Sequence, residues 1–202
     1  MRACLFMALT LAVNAGWAQV NMTTTGSYGQ DFNTLSSANG TTPAWTDNST
    51  LANWYWQMSA TQSTTYRVDN GGNNSGARMD YGTIASSDRA MGSLGSGTPG
   101  NFAWGVQLQN TSGTPITDLR VSFTGEQWRA ANTTAHTATF FYKISASPIT
   151  ALTPNVNGTW IAVTALNFTS PNNTTVLAID GNAVANRTTF TNISIPSLSL
   201  AA

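Results

Sequence analysis

The sequence predicts an all-β fold, an antiparallel β-sandwich or jelly roll built from about ten short strands. Three observations support this prediction. Short stretches alternate apolar and polar residues, as a strand with one buried face does. Gly, Pro, Asn and Asp cluster between these stretches as turn signals, and no stretch keeps a helical period. A chain of 202 residues fits a single all-β domain.

The predicted strands follow from this alternation, taken in order along the chain. They are 28–35, 51–58, 65–68, 77–84, 102–109, 119–124, 138–144, 160–164, 176–179 and 190–195. In the sixth strand Leu119, Val121 and Phe123 share one face, because side chains two apart point the same way. We take strands 119–124 and 138–144 as the centre of the sandwich. The Gly/Pro turn at 110–115 predicts an antiparallel hairpin between 102–109 and 119–124.

The stretch 51–58 contains Trp54, Tyr55 and Trp56, with Trp54 and Trp56 on the same face of a strand. Two interpretations remain open. Aromatic side chains dominate protein cores, which favours burial of both faces. Alternatively, one face is an exposed binding platform.

Composition points to an extracellular protein. Charged residues make up only 8% of the chain, against roughly 25% in a typical soluble domain. The formal net charge is zero and Lys143 is the single lysine. Nucleic acids and anionic membranes bind basic patches. We therefore expect neither as a partner.

The amino terminus has the pattern of a signal peptide spanning residues 1–18. Arg2 is followed by an apolar run at 3–13 and by small residues before a predicted cut after Ala18. We expect a secreted or cell-surface protein, with a loosely ordered lead-in at 19–27 and one sandwich domain at 28–202. The only cysteine, Cys4, lies in the signal peptide, so disulfides and thiolate chemistry are not expected in the mature chain. No later stretch is apolar enough to cross a membrane.

Several motifs resemble a domain found in secreted bacterial proteins of unassigned function, many of which carry PEP-CTERM or related sorting signals. The motifs are DFNTL, WYW, DNGGNNSG, SSDRAMGSL, FAWGVQLQNTSGTPITDLRVSFTGEQWR and DGNAVANRTT. The resemblance covers about 32–200 and implies a jelly roll of the lectin and carbohydrate-binding type. It supplies no established ligand or catalytic residue. Relatives continue beyond the segment that matches SLSL, so we expect this chain to lack its last strands and to expose sheet edges.

The segment GEQWR allows a structural and a functional interpretation. In the first, Gly125 marks a bulge, Trp128 fills the core and Glu126 pairs with an arginine. Asp88, Arg89 and Arg129 would complete that polar network. In the second, a sugar-binding face is lined by the following residues: Glu126, Gln127, Trp128, Arg129, Trp54 and Trp56.

Catalytic chemistry finds little support. Glycosidases use two carboxylates about 5 to 10 Å apart, whereas Glu126 is the only Glu and Asp118 is its nearest acidic neighbour in sequence. His136 is the only His, and no nucleophile elbow lies near it. We expect no enzyme, no cofactor and no metal, with a glycoside hydrolase as a third alternative.

The loop at 69–76 is the one candidate for a cation. Asp69, Asn70 and Asn73 could offer oxygen ligands to Ca²⁺, but their spacing is not that of an EF-hand, so a solvated turn is expected. The predicted function is a non-catalytic adhesion or surface-structural module. The alternative is a carbohydrate-binding module that binds polysaccharide through exposed Trp side chains with Glu126 and Arg129.

Overall fold

The computed structural model describes residues 19–23, 26–60, 63–130, 133–147, 149, 151–152, 160–173 and 177–201. The predicted signal peptide at 1–18 lies outside the described residues. Within these ranges the chain forms fifteen strands and two short 3-10 helices, at Thr164–Leu166 and Val184–Asn186, with no α-helix. The predicted all-β class is confirmed. No helix in the same ranges has the length and apolar character that a membrane crossing requires.

The strands are short and lie between Val20 and Ser194. They are β1 (Val20–Met22), β2 (Trp54–Met58), β3 (Arg67–Asp69), β4 (Ala77–Tyr81), β5 (Ala90–Leu94), β6 (Phe102–Val106), β7 (Leu108–Asn110), β8 (Arg120–Glu126), β9 (Arg129–Ala130), β10 (Thr137–Ala138), β11 (Phe141–Tyr142), β12 (Ile161–Ala162), β13 (Phe168–Thr169), β14 (Leu177–Ala178) and β15 (Arg187–Ser194).

These strands form several small sheets in a sandwich-like arrangement. The longest pair is the antiparallel ribbon β8–β15, followed by β2–β6 and the three-stranded sheet β3–β4–β5. Two pairs, β1–β7 and β3–β4, are parallel, in contrast to the all-antiparallel prediction. The stretch 19–27, expected to be loosely ordered, contributes β1.

The predicted hairpin between 102–109 and 119–124 is wrong, because β8 pairs with β15 instead. The loop between them packs against the end of the chain. Asn110 Nδ2 donates to the carbonyls of Thr114, Leu200 and Ala201 at 2.7, 3.0 and 2.9 Å. These bonds hold the loop against residues 200 and 201, whereas the loop of a two-strand hairpin would need contacts only with its own two strands.

Two other strand predictions fail for local reasons. The stretch 28–35 is a turn, in which Phe32 has a φ of 62° and Leu35 N donates to Phe32 O. The stretch 138–144 is divided into β10 and β11. At the break, Phe140 N donates to the Asn167 side chain at 3.0 Å instead of to a strand carbonyl, while the Phe140 carbonyl accepts from Val163 N beside β12.

Buried side chains form three separate clusters. The first core contains Leu35, Trp45, Leu51, Trp56, Tyr66, Val68 and Met91. The second core contains Val163, Leu166, Ile195 and Leu198, and Leu119, Val121 and Phe123 pack against it. The third core is Met79, Tyr81 and Trp128. The predicted alternation in β8 is confirmed, since Arg120, Ser122 and Thr124 are exposed.

Candidate functional site

The segment GEQWR begins at the end of β8, where Gly125 lies against the Phe168 ring. Gly125 pairs with Thr188 in regular register, so the predicted bulge at Gly125 is wrong. The irregularity of this ribbon lies on the opposite strand, between Phe190 and Ile193. Glycine is required at 125 for another reason, because a Cβ there would collide with the Phe168 ring.

Trp128 is a core residue, as the structural interpretation predicted. Its side chain is only 4% exposed and lies parallel to the Tyr81 ring, with the centroids 6.2 Å apart. Two glycines enclose it, since a Cβ on Gly71 would collide with the Trp128 carbonyl and one on Gly181 with the indole. No sugar ring can stack on an indole that is enclosed in this way.

Glu126 is half-buried beside this indole. Its Oε2 accepts a hydrogen bond from Trp128 Nε1 at 2.9 Å. Burial raises the pKa of Glu126 and the negative charges of Asp88 and Asp180 raise it further, against the lowering effects of the indole bond and Arg187. The carboxyl therefore keeps its proton more readily than an exposed glutamate does.

Gln127 and Arg129 use their polar atoms within the fold. The buried Gln127 amide exchanges two hydrogen bonds with the Asn172 backbone, at 2.7 and 2.8 Å. Arg129 Nη1 donates to the carbonyls of Gly71 and Gly72. Both side chains therefore tie GEQWR to neighbouring loops.

The predicted polar network does not assemble as one unit. Arg89 binds Asp80, Glu126 binds Trp128, Arg129 binds a loop backbone, and Asp88 is exposed. The prediction joined residues that are close in sequence or similar in charge. The fold instead turns Arg89 away from its neighbour Asp88 and toward β4.

Sequence reasoning missed the most buried charges in the described part of the chain. Asp80 Oδ1 and Arg89 Nε lie 2.9 Å apart, with side chains 0% and 1% exposed. Arg89 Nη2 also donates to the Asp80 carbonyl at 2.7 Å. Burial raises the pKa of Asp80 to about 6, although the bond and charge of Arg89 lower it. The sequence did contain a signal for this ion pair. Asp80 lies between Met79 and Tyr81 in the middle of a predicted strand, and a carboxylate buried there must have a charged or hydrogen-bonding partner.

The aromatic pair of β2 separates into two environments. Trp56 is completely buried and packs against Trp45 and Tyr66, at centroid distances of 5.2 and 6.0 Å. Trp54 is half-buried, donates to the Tyr28 hydroxyl at 2.7 Å and packs edge-on against Phe32. Trp54 and Trp56 therefore form no exposed aromatic platform.

The candidate calcium loop directs its side-chain oxygens at its own backbone. Asp69 Oδ1 accepts from Gly71 N and Asn73 N, at 2.7 and 3.2 Å. Asn70 and Asn73 each accept from the amide two residues later. Across the described ranges no three His, Cys, Asp or Glu side chains form a metal-binding group. The bonds seen here are those of a closed turn.

A pocket of about 210 Å³ lies elsewhere, between β2 and the start of β4. Met58, Thr65 and Arg78 are among its walls, and Arg78 Nη1 donates to the Ser63 carbonyl at 2.6 Å. It is smaller than the clefts of roughly 300–1,000 Å³ that usually hold small-molecule ligands. Neither Glu126 nor Trp128 lines it.

Fold and site together define an all-β, sandwich-like protein in which Trp56, Trp128 and the Asp80–Arg89 pair are buried inside the fold. No protein-family model, curated protein or solved structure matches the chain. The functional conclusion therefore depends on composition and geometry.

Proposed function

We propose that this chain is a non-catalytic extracellular module with an adhesion or surface-structural role, secreted after removal of residues 1–18. The observation that carries the proposal is the enclosure of GEQWR. Trp128 is 4% exposed between Gly71 and Gly181, and the polar atoms of Glu126, Gln127 and Arg129 bond to the chain itself. A binding or catalytic face would instead direct such groups outward.

Composition supports the same proposal. Few charges and many Asn, Thr, Ser and Gly residues produce a polar but nearly uncharged surface. Such a surface has no strong field to attract or orient a charged ligand. A structural module of a cell envelope or extracellular matrix needs stability and contact area rather than a reactive group.

The test is a deletion of the gene in the producing cell, with three measurements. We expect the protein in the extracellular or surface fraction with Gln19 as its first residue, and reduced attachment or surface integrity in the deletion strain. Complementation with the natural gene should restore the phenotype, and the fold-breaking variant Trp128→Ala should not. A cytoplasmic protein with Met1 retained, or a deletion without a surface phenotype, would contradict the proposal.

Carbohydrate binding is the second candidate, and a specific observation favours it. Among the residues predicted to line a sugar-binding face, Trp54, Glu126 and Arg129 remain partly exposed. Trp160 is also half-exposed, with Lys143 Nζ 6.0 Å from its ring centroid. A glycan array decides between the two functions. If the protein is a lectin, it should bind at least one glycan on the array. Trp54→Ala or Trp160→Ala should abolish that binding while the protein stays folded.

A further inference from the structure

The pocket between β2 and the start of β4 is lined by positive charge without negative charge. Arg67 and Arg78 both line it, together with three residues that carry hydroxyl side chains: Thr42, Ser63 and Thr65. All eight acidic residues of the chain lie in the described ranges, and none of them lines this pocket. Its walls therefore combine two cations and several hydroxyl donors with no carboxylate.

The pocket lies where β3 and β4 begin. These two strands are parallel, with Arg67 of β3 opposite Met79 of β4. Successive side chains of a strand point to opposite faces, so Arg67 lies on the face of Met79 and Arg78 on the other face. The wall residues 63 and 76 come before the first residues of the two strands, at the end of the sheet. Side chains from both faces can line one cavity at such an end.

Arg78 is a buried cation at this pocket. The residue is only 4% exposed. Its Nη1 donates to the carbonyl of the wall residue Ser63 at 2.6 Å, which fixes the guanidinium at the pocket wall. Burial lowers the pKa of Arg78 and the charge of Asp47 raises it, and an arginine keeps its proton in a protein. A buried charge is favourable only beside groups that balance it, and a carbonyl is a neutral acceptor.

Asp47 is the carboxylate whose charge acts on Arg78, but its oxygens are bound outside the pocket. They accept the following hydrogen bonds: Oδ1 from Trp45 Nε1 at 2.6 Å and from Trp56 N at 2.8 Å, and Oδ2 from Gln57 Nε2 at 3.2 Å. These bonds hold the carboxylate at the edge of β2. An anion inside the pocket would approach Arg78 from a different side.

Arg67 supplies a second and more accessible cation. Its side chain is half-buried and makes no ion pair or hydrogen bond within the described ranges. Thr42 lies beside it, between two backbone hydrogen bonds that join the segment 41–43 to residues 66 and 68. A guanidinium offers two parallel N–H donors, which match the oxygens of a carboxylate or a phosphate.

We propose that this pocket binds a small oxyanion (a sulfate, phosphate or carboxylate group) through Arg67 and Arg78, with the hydroxyls of Thr42 and Thr65 as further donors. The volume of about 210 Å³ suits one such group rather than a drug-sized molecule. The formal net charge of the chain is zero, so binding depends on these short-range contacts and not on long-range attraction. This inference goes beyond the proposed function and does not depend on it.

The test is a titration of the isotope-labelled, folded protein, followed by the NMR signals of its backbone amides. The probes are sodium sulfate, sodium phosphate and sodium galacturonate, with sodium chloride at equal ionic strength and neutral galactose as controls. We expect saturable shifts at the amides of the pocket walls, with a dissociation constant in the millimolar range or below, and none with chloride or galactose. Saturation by sulfate or phosphate alone identifies an inorganic ion as the ligand. Tighter saturation by galacturonate identifies the carboxylate of an acidic sugar.

Two arginine variants show whether the pocket is the binding site. Arg67→Met and Arg120→Met each remove one positive charge, but Arg120 does not line the pocket and is exposed beside Asp118. Arg67→Met should raise the dissociation constant about tenfold or more, because charge-assisted hydrogen bonds to the anion are lost. Arg120→Met should change it less than about twofold, since salt screens distant exposed charges.

Arg67→Lys refines the comparison, because it keeps the charge but loses the two parallel donors. It should weaken binding less than Arg67→Met does. The absence of saturable shifts with all three anions would overturn the proposal. So would equal dissociation constants for Arg67→Met and Arg120→Met, or saturable shifts that lie outside the pocket walls.

Discussion

The buried pair Asp80–Arg89 provides the sharpest prediction about stability. Arg89→Met keeps most of the side-chain volume but removes the charge and the donors to Asp80 Oδ1 and to the Asp80 carbonyl. Both partners of the pair are at most 1% exposed, so water cannot replace the lost contacts. Breaking a buried pair by removing one partner costs about 3–5 kcal/mol. That is a large part of the 5–15 kcal/mol by which domains are usually stable.

Arg120→Met is the matched control, because the Arg120–Asp118 pair has the same 2.9 Å separation but side chains 50% and 56% exposed. Its loss should cost less than about 1 kcal/mol. Urea unfolding, followed by tryptophan fluorescence at low protein concentration, measures both variants.

The cost of Arg89→Met should also depend on pH. Arg89 lowers the pKa of Asp80, so its removal raises that pKa above about 6. The variant must then bind a proton that the wild type has released, and its cost grows as the pH rises from 5 to 8. Equal costs for the two arginine variants, or a cost that grows as the pH falls, would refute the reasoning.

Three further predictions concern single residues. Gly125→Ala should destabilise the fold by about 1–3 kcal/mol, because its Cβ collides with Phe168, whereas Gly105→Ala, which meets open space, should change the urea midpoint little. The Asp80 carboxyl should titrate near pH 6 by NMR rather than near 3.8. Its contribution to the free energy of unfolding should fall as the pH rises between these two values, because the folded state binds a proton that the unfolded state releases. A titration midpoint below 4 would contradict this. Trp128→Ala should cost about 3–5 kcal/mol in denaturant unfolding, and a loss below 1 kcal/mol would argue against core packing.

Local alternation was enough to predict the all-β class and the faces of β8. Val121 and Phe123 pack against the second core while Ser122 and Thr124 are exposed. A strand turns successive side chains to opposite faces whatever its neighbours are, so this property can be read from a few adjacent residues. The Asn/Gly-rich loop after Asp69 was predictable for the same reason, since its turns are closed by side chains two to four residues away.

Strand partners were not predictable in this way. The sequence favoured a hairpin of β8 with the strand before it. Instead β8 pairs with β15, whose Arg187 lies opposite Glu126 although the two residues are far apart in the sequence. Backbone hydrogen bonds are the same for any two strands, so they do not select a partner. The choice depends on which side chains together fill the second core, and on the bonds by which Asn110 anchors the intervening loop to Leu200 and Ala201.

The partners of charged side chains, like the partners of strands, were not predictable from the sequence. Residue types alone suggested Arg89 or Arg129 as the partner of Glu126. The carboxyl of Glu126 instead binds the Trp128 indole, the arginine opposite it is Arg187, and Arg89 binds Asp80. Which groups meet is decided by the directions that β4, β5 and β8 give them once they pack. Burial removes water as a partner, so any charged side chain inside the fold must be paired with another group. The packing of the sheets decides which group that is.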